Sequence, residues 1–547
     1  MEASTAKKVA MAGATLVLVT LCAAQFLMTL DTSVMNVAIA TVAKDTNTTV
    51  TGVQTAITLY ALVMAALMIT GGKIGALIGR KRAFAIGCVI YGAGSFTTSL
   101  AHSLTVLIIG WSLLEGIGAA LILPAVVALV AANFPAEGRP KAYGLVSAAG
   151  AVAVAVGPLI GGLFTTYWSW RYVFAGEVLI VIAILIMGRG IVDEPPGERP
   201  KLDVVGVVLS ATGLSLAVLG VLQSGTWGWI QPKSGGRELW GISLTFWFIV
   251  SGVFLLWLFL EWEARQEARG REPLVRRTLF RVRQLRGGLR MFFFQYFVQS
   301  GVFFVVPLFL SVSLGLSAIE TGVRLLPLSI TLLIAAVGVP RFFPDISPRR
   351  VVRLGLLSMF LGVVVLLGAI DANATASIVL VPLLLLGLGI GALASQLGSV
   401  TVSSVPDELS PEVGGLQNTA TNIGTSLGTA LAGAVLIATL TSVFLTGIQN
   451  NPDVPARVSS QATTELAGGI PFISDADLQK ALDEAHVSSK TAEAIVDENS
   501  SARLAALQAA LGVVALIALV GLFCAGGIPK TQPRSAPEEL VLDPETG

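Results

Sequence analysis

About fourteen stretches of roughly twenty apolar residues run along this chain of 547 residues, each long enough to cross a bilayer as a helix. They fall near 12–36, 53–73, 83–101, 105–132, 142–166, 172–188, 204–224, 242–262, 290–313, 321–341, 352–370, 376–398, 413–446 and 503–527. In hydrocarbon each backbone N–H and C=O needs a partner within the protein, so such stretches become helices. The expected fold is all-α, a polytopic membrane protein. Composition removes the alternatives. Hydrophobic residues make up 54% and charged residues 13%, and soluble cores stop growing near 250–300 residues, to a rough approximation. Three cysteines, all inside apolar runs, exclude a disulfide scaffold. A formal net charge of +1 argues against nucleic acid as a partner. Two histidines, with no Cys/His/carboxylate cluster at zinc or iron spacing, give no reason to expect a metal or a cofactor. The first apolar run is too long, and lacks the processing site, for a cleavable signal.

Basic residues set the expected orientation. With the amino terminus inside, 26 of the 35 Lys and Arg fall on the cytoplasmic face. They include Lys73, Arg80, Lys81 and Arg82, the cluster from Arg265 to Arg290, and Arg199, Lys201 and Arg534. Both termini are then cytoplasmic, in a cell-membrane protein. The loop 399–412 breaks the pattern, since its charges are Asp407, Glu408 and Glu412. Linkers near 189–203 and 261–290 suggest a six-helix half over 1–190, an inserted helix pair over 191–264 and a second six-helix half over 265–547. The second half carries an outer loop at about 447–500, where Ser474 to Asp477 reads as a helix start of capping-box type. That loop reads as a solvated cap, with a partner or lipid contact as the alternative. Two matched halves place a transport site at the midplane between them.

A charge inside a bilayer is costly, so each one is a functional candidate. Asp31, Glu115 and Glu177 qualify. A carboxyl kept from water takes up a proton readily and releases it to water or a cation, which is what proton coupling needs. Plainer roles stay open: Asp31 capping a neighbouring helix, and Glu177 pairing with Arg171 or reaching the outer interface. Ala149, Ala153, Gly157 and Gly161 recur every four residues, a ridge that lets helices approach closely. Pro158 removes a backbone hydrogen bond within it. Met28, Met35, Trp111, Gln295, Tyr296, Gln299, Gln417 and Asn418 are candidates to line a cavity for a large apolar ligand. Their alternatives are bonding between helices or facing lipid.

Several segments resemble the major facilitator superfamily, and within it the fourteen-helix EmrB/QacA-type drug:proton antiporters. Leu30 to Ala38 is similar to the family's first-helix motif. Gly72, Lys73, Gly79, Arg80 and Arg82 stand in a segment, Gly72 to Arg82, that resembles the loop 2–3 signature. Gly157-Pro158 with Gly161-Gly162 resembles the antiporter motif of helix five, and Trp170 to Phe174 the Trp-Arg-x-x-Phe segment. Gly315 to Pro327 and Gly415 to Thr419 also fit. The resemblance implies a major facilitator fold of two six-helix halves plus two inserted helices, fourteen transmembrane helices in all. It also implies that the glycines, Pro158 and the loop basics serve conformational change. Ala76 and Leu77 stand where the family has an acid and a base, and a basic residue usual near Ser112 is missing. Glu115 and Glu177 are acids where the family has none. The resemblance thus implies that proton handling has moved onto Asp31, Glu115 and Glu177.

The function so expected is proton-coupled export of hydrophobic small molecules, cations among them, by a monomer in contact with membrane lipids. A lipid or dedicated metabolite carrier is the alternative, and a non-transporting sensor or scaffold the third. No Walker lysine motif is present to bring ATP, and no nucleophile accompanies the acids, so an enzyme is not expected.

Overall fold

The computed structural model describes residues 2–134, 139–193, 202–233, 236–271, 273–371, 373–406, 409–466 and 470–532, with backbone alone at 2–13, 139–141, 410–411 and 463–465. Arg199, Lys201, Asp407, Glu408 and Arg534 lie outside the described residues, as does most of the first linker. The membrane-length helices are α1 (Glu2–Asp45), α2 (Val50–Ile78), α3 (Arg80–Ser99), α4 (Leu104–Leu107) running on through a π-helical turn (Ile108–Glu115) into α5 (Gly116–Asn133), α6 (Arg139–Tyr167), α7 (Arg171–Met187), α8 (Val204–Trp227) and α9 (Leu244–Ala268). The series continues with α10 (Arg283–Leu308), α11 (Ala318–Phe342), α12 (Pro348–Ala369), α13 (Leu380–Val402) and α14 (Ser410–Asn450), then two short helices, α15 (Ala456–Glu465) and α16 (Asp475–Glu484), and α17 (Ser489–Cys524).

Thirteen helical spans among the described residues are long and apolar enough to cross a membrane. The remaining expected span, 83–101, is α3. It opens on Arg80-Lys81-Arg82 and closes on Thr97-Thr98-Ser99, and it packs on α5, α7 and the π-helical turn. A helix seated among other helices tolerates polar residues that a lipid-facing one does not. The architecture is all-α apart from a two-residue hairpin, Glu238–Leu239 with Ile242–Ser243. Trp240 and Gly241 turn it at positive φ, as such tight hairpins require.

Two seams join early helices to late ones. In the first, α2 packs on α14. Gln54 Nε2 donates to Thr429 O at 2.9 Å and Ser426 Oγ to Thr58 O at 3.0 Å. In the second, α6 packs on α11. Pro158 has no N–H to give the carbonyl of Val154, and Ser329 Oγ of α11 donates to that carbonyl at 3.4 Å. A Cβ at Gly161 would stand 2.9 Å from Val34 Cα, and one at Gly162 2.6 Å from Ala318 O. Gly157 abuts the Ser33 side chain. The ridge therefore brings α6 against α1, while Gly162 and Pro158 beside it meet α11.

The pair α8 and α9 packs together and leans on α2 and α14. Where 242–262 was expected to end, α9 continues to Ala268, so Glu263 is buried instead of lying in a solvated linker. Its Oε2 accepts from Val275 N at 3.2 Å. Glu412 of α14 accepts from Arg276 N at 3.0 Å and pairs with its side chain. These carboxylates fasten the linker after α9 across the α2–α14 seam.

Much of the expected outer stretch 447–500 is helical. The helix α14 runs on to Asn450 and α17 begins at Ser489, so the two span about 62 and 54 Å at 1.5 Å per residue, well beyond a hydrocarbon core of about 30 Å. Ser474 does cap α16, its Oγ accepting from Asp477 N. Arg503 of α17, 2% exposed, holds α16 through Asp475 at 2.7 Å. An apolar contact of Ile448, Val454, Ile470 and Phe472 closes this cap.

Glycines let α3 approach the π-helical turn. A Cβ at Gly94 would lie 2.8 Å from both Glu115 N and Gly110 O. Backbone cannot yield as a side-chain tip can. Gly94→Ala is expected to lower the unfolding midpoint in detergent by several degrees, against no change for Gly144→Ala, where nothing lies within 4 Å. Overpacking of this kind costs about 1–3 kcal/mol.

Candidate functional site: a buried carboxyl triad beside a central cavity

Asp31 on α1, Glu115 at the end of the π-helical turn and Glu177 on α7 come together from three separate helices. One carboxylate oxygen of each lies within 4.8 Å of the others, and the residues are 0%, 0% and 1% exposed. Among the described residues no lysine, arginine or histidine pairs with them. Trp111 Nε1 donates to Asp31 Oδ1 at 2.7 Å. Thr98 Oγ1 donates to Glu115 Oε1 at 3.0 Å, and Ser95 Oγ to Glu177 Oε2 at 3.2 Å. Tyr91 Oη stands 3.5 Å from the same Glu177 oxygen. Asp31 Oδ2, Glu115 Oε2 and Glu177 Oε1 have no partner.

Three anions so placed would repel one another by roughly 3–4 kcal/mol per pair even at an effective dielectric near 20. The group must therefore hold protons or a cation. Its oxygens are near enough together to accept a cation, a possibility that spacing along the sequence does not reveal. The π-helical turn matters to this geometry. Trp111 and Glu115, four residues apart, lie on one side of it, and such turns recur at functional sites.

Neither plainer role holds. Asp31 caps no helix among the described residues. Arg171 is engaged elsewhere: it pairs with Asp45 at 3.0 Å, donates to Ala101 O at 2.6 Å and lies over the Trp170 ring. Trp170 Nε1 also donates to Asp45 Oδ2. This Trp-Arg pair ties the end of α1 to the end of α3, and Glu177 lies inside the bundle.

The central cavity, about 210 Å³, lies between α1, α2 and α6 on one side and α10 and α14 on the other. Of the residues expected to line it, Met28, Tyr296, Gln299 and Asn418 do. Met35, Trp111, Gln295 and Gln417 do not. Met35 is fully buried in the core, and Trp111 faces the triad. Gln295 lies about 100° round α10 from Tyr296, and Gln417 is turned to Thr401. The residue that joins triad and cavity was not legible in sequence. Tyr60 lines the cavity, and its ring stacks on Trp111 with centroids 4.9 Å apart and planes 5° apart.

The loop 2–3 residues separate into two roles. Gly79, at φ 98°, makes the break between α2 and α3. Lys81 Nζ donates to Arg189 O and Ile191 O, both at 2.7 Å, and Lys81 N donates to Asp193 Oδ2. Asp193 so places an acid at a loop whose own acid is replaced by Ala76. Gly72, Lys73 and Arg80 line a second cavity of about 250 Å³, with Glu412 opposite. Arg82 is exposed.

A family model described as Major Facilitator Superfamily matches residues 21–429. The tetracenomycin C resistance and export protein of Streptomyces glaucescens is 28% identical over 424 residues, 76% of this chain and 75% of that one. The multidrug efflux pump LfrA of Mycolicibacterium smegmatis is 26% identical over 505 residues, 90% of this chain and 93% of that one. Among solved structures, a bacterial homologue of the human lysosomal transporter Spinster, inward-facing and unoccupied, aligns with a TM-score of 0.59 at 15% identity. The alignment covers 94% of this chain and 98% of that one, and shows the fold alone.

Proposed function

This chain belongs to the Major Facilitator Superfamily, a multi-pass membrane transporter and not an enzyme, and on that premise we propose that it exports hydrophobic small molecules in exchange for protons by alternating access. The moving parts are the six-helix halves 1–190 and 265–547, with 191–264 as an inserted pair, in the cell membrane with both termini cytoplasmic. The observation that carries this reading is the buried carboxyl triad set one aromatic stack away from a cavity that both halves line. Compound binds from the cytoplasm while the triad holds fewer protons. Protons arriving from outside load the triad, and the altered Trp111–Tyr60 contact releases the compound outward. The names of the curated relatives, an antibiotic exporter and a multidrug pump, support the direction and the kind of cargo.

The test is reconstitution in proteoliposomes under an imposed pH gradient, with tetracenomycin C, riboflavin and tetraphenylphosphonium as cargo. Uptake of at least one of these that collapses with the gradient is expected. Movement of fluorescent phospholipid with no dependence on the gradient, and none of the three compounds, would favour the lipid-carrier alternative instead.

A further inference from the structure

The triad and the central cavity divide the chemistry between them: the acids stay behind the Trp111–Tyr60 stack, and no residue lining the cavity carries a charge. The lining is nonetheless rich in amides and hydroxyls. Asn36 Nδ2 donates to Thr32 O at 2.8 Å, Asn418 Nδ2 to Gly414 O at 3.1 Å and Asn422 Nδ2 to Asn418 O at 2.9 Å. A peptide carbonyl only accepts, so each amide spends one of its two N–H donors on its own helix and keeps the other N–H and both lone pairs of its oxygen for another partner. The hydroxyls do the same. Thr29, Ser33, Ser300 and Thr425 each donate to a carbonyl of their own helix, and each has a single O–H to give; the Thr29 oxygen already accepts one bond, from Gln25 Nε2. Gln299 Oε1 is buried with no partner at all.

We infer that this cavity selects uncharged compounds bearing several O–H or N–H donors on an apolar body. This deepens the exporter reading and rests on it. Met28, Met64 and Phe303 supply apolar wall for the body. The surplus of acceptors rejects a ligand without donors, because acceptors left unpaired on closing cost desolvation with no return. A lipophilic cation lacks a counter-charge here as well as donors.

Equilibrium dialysis against the full-length protein in lipid nanodiscs at pH 8, with no gradient, tests this with three probes. Riboflavin is uncharged and carries hydroxyls, lumiflavin has the same ring without them, and tetraphenylphosphonium is a cation without donors. Riboflavin is expected to bind roughly tenfold tighter than either, the worth of one or two net hydrogen bonds. Gln299→Leu and Asn422→Leu should each remove most of that advantage by weakening riboflavin far more than lumiflavin. Equal or tighter binding of tetraphenylphosphonium, equal binding of lumiflavin, an advantage untouched by both substitutions, or no binding of riboflavin would each overturn the inference. Because dialysis involves no gradient, proton coupling can fail while selectivity holds, and the reverse.

Discussion

Neutralising the triad with Asp31→Asn, Glu115→Gln and Glu177→Gln together is expected to abolish the pH dependence of compound binding. On the proposed exchange, compound binds the triad in its less protonated state, so affinity is expected to fall as pH drops and the triad takes up protons. By linkage, compound binding then expels protons. Coupling between two sites is typically 1–3 kcal/mol, or about 5–150-fold in affinity. The affinity ratio between pH 8 and pH 5.5, for whichever of riboflavin, tetracenomycin C and tetraphenylphosphonium binds tightest, should lie in that range. In the triple variant it should approach one. The amides keep the shape of the side chains, and each acid already has a hydroxyl or indole donor beside it. Removing the charges also removes the mutual repulsion, so the variant should fold. Gradient-driven transport should be lost with the pH dependence, and each single substitution should reduce it.

The second large effect concerns the aromatic stack. Tyr60→Leu deletes the ring that Trp111 packs on, and Trp111→Phe leaves Asp31 Oδ1 without its indole donor. Either change should reduce the pH 8 to pH 5.5 affinity ratio by about fivefold or more, the lower end of ordinary coupling. Tyr60→Phe should preserve it, because the Tyr60 hydroxyl, although it faces Asp31, makes no hydrogen bond of good geometry and the stack survives. The ratio is the informative readout. Tyr60 lines the cavity, so its loss shifts affinity at both pH values, whereas a merely structural contribution would leave their ratio alone. A Tyr60→Phe variant as uncoupled as Tyr60→Leu would assign the effect to the hydroxyl and contradict the stacking account.

Much of this architecture is readable from sequence because a bilayer admits so few solutions. Apolar length alone gives the helices, and ends such as Tyr167 and Met187 fall within a residue or so of expectation. The exceptions are physical. The helices α14 and α17 leave the membrane without leaving helical geometry, so a change to polar sequence at 489–502 does not mark an end. Glu263 falls in the expected linker 261–290, dense in Arg and Glu, yet α9 continues through it and buries it.

Asp31, Glu115 and Glu177 stand out singly, since each is an acid in an apolar run. That they meet is a fact of packing, invisible at separations of this length. Ser95, Thr98 and Tyr60 give no signal, because hydroxyls are ordinary in membrane helices. That Met35, Trp111, Gln295 and Gln417 do not line the central cavity has one cause. A helix apolar on every side carries no stripe to say which face looks inward. Only the contacts settle that, as when Trp111 turns its indole to Asp31 and lends its face to Tyr60.

The most direct test of the triad as the proton site is proton release on binding. The purified protein is held in weakly buffered detergent near pH 7 with a pH-sensitive dye, and the tightest-binding of the three compounds is added. The account predicts acidification in proportion to compound bound, and none from the Asp31→Asn, Glu115→Gln, Glu177→Gln variant at the same occupancy. Binding without proton release in the unaltered protein, or undiminished release from the triple variant, would contradict it.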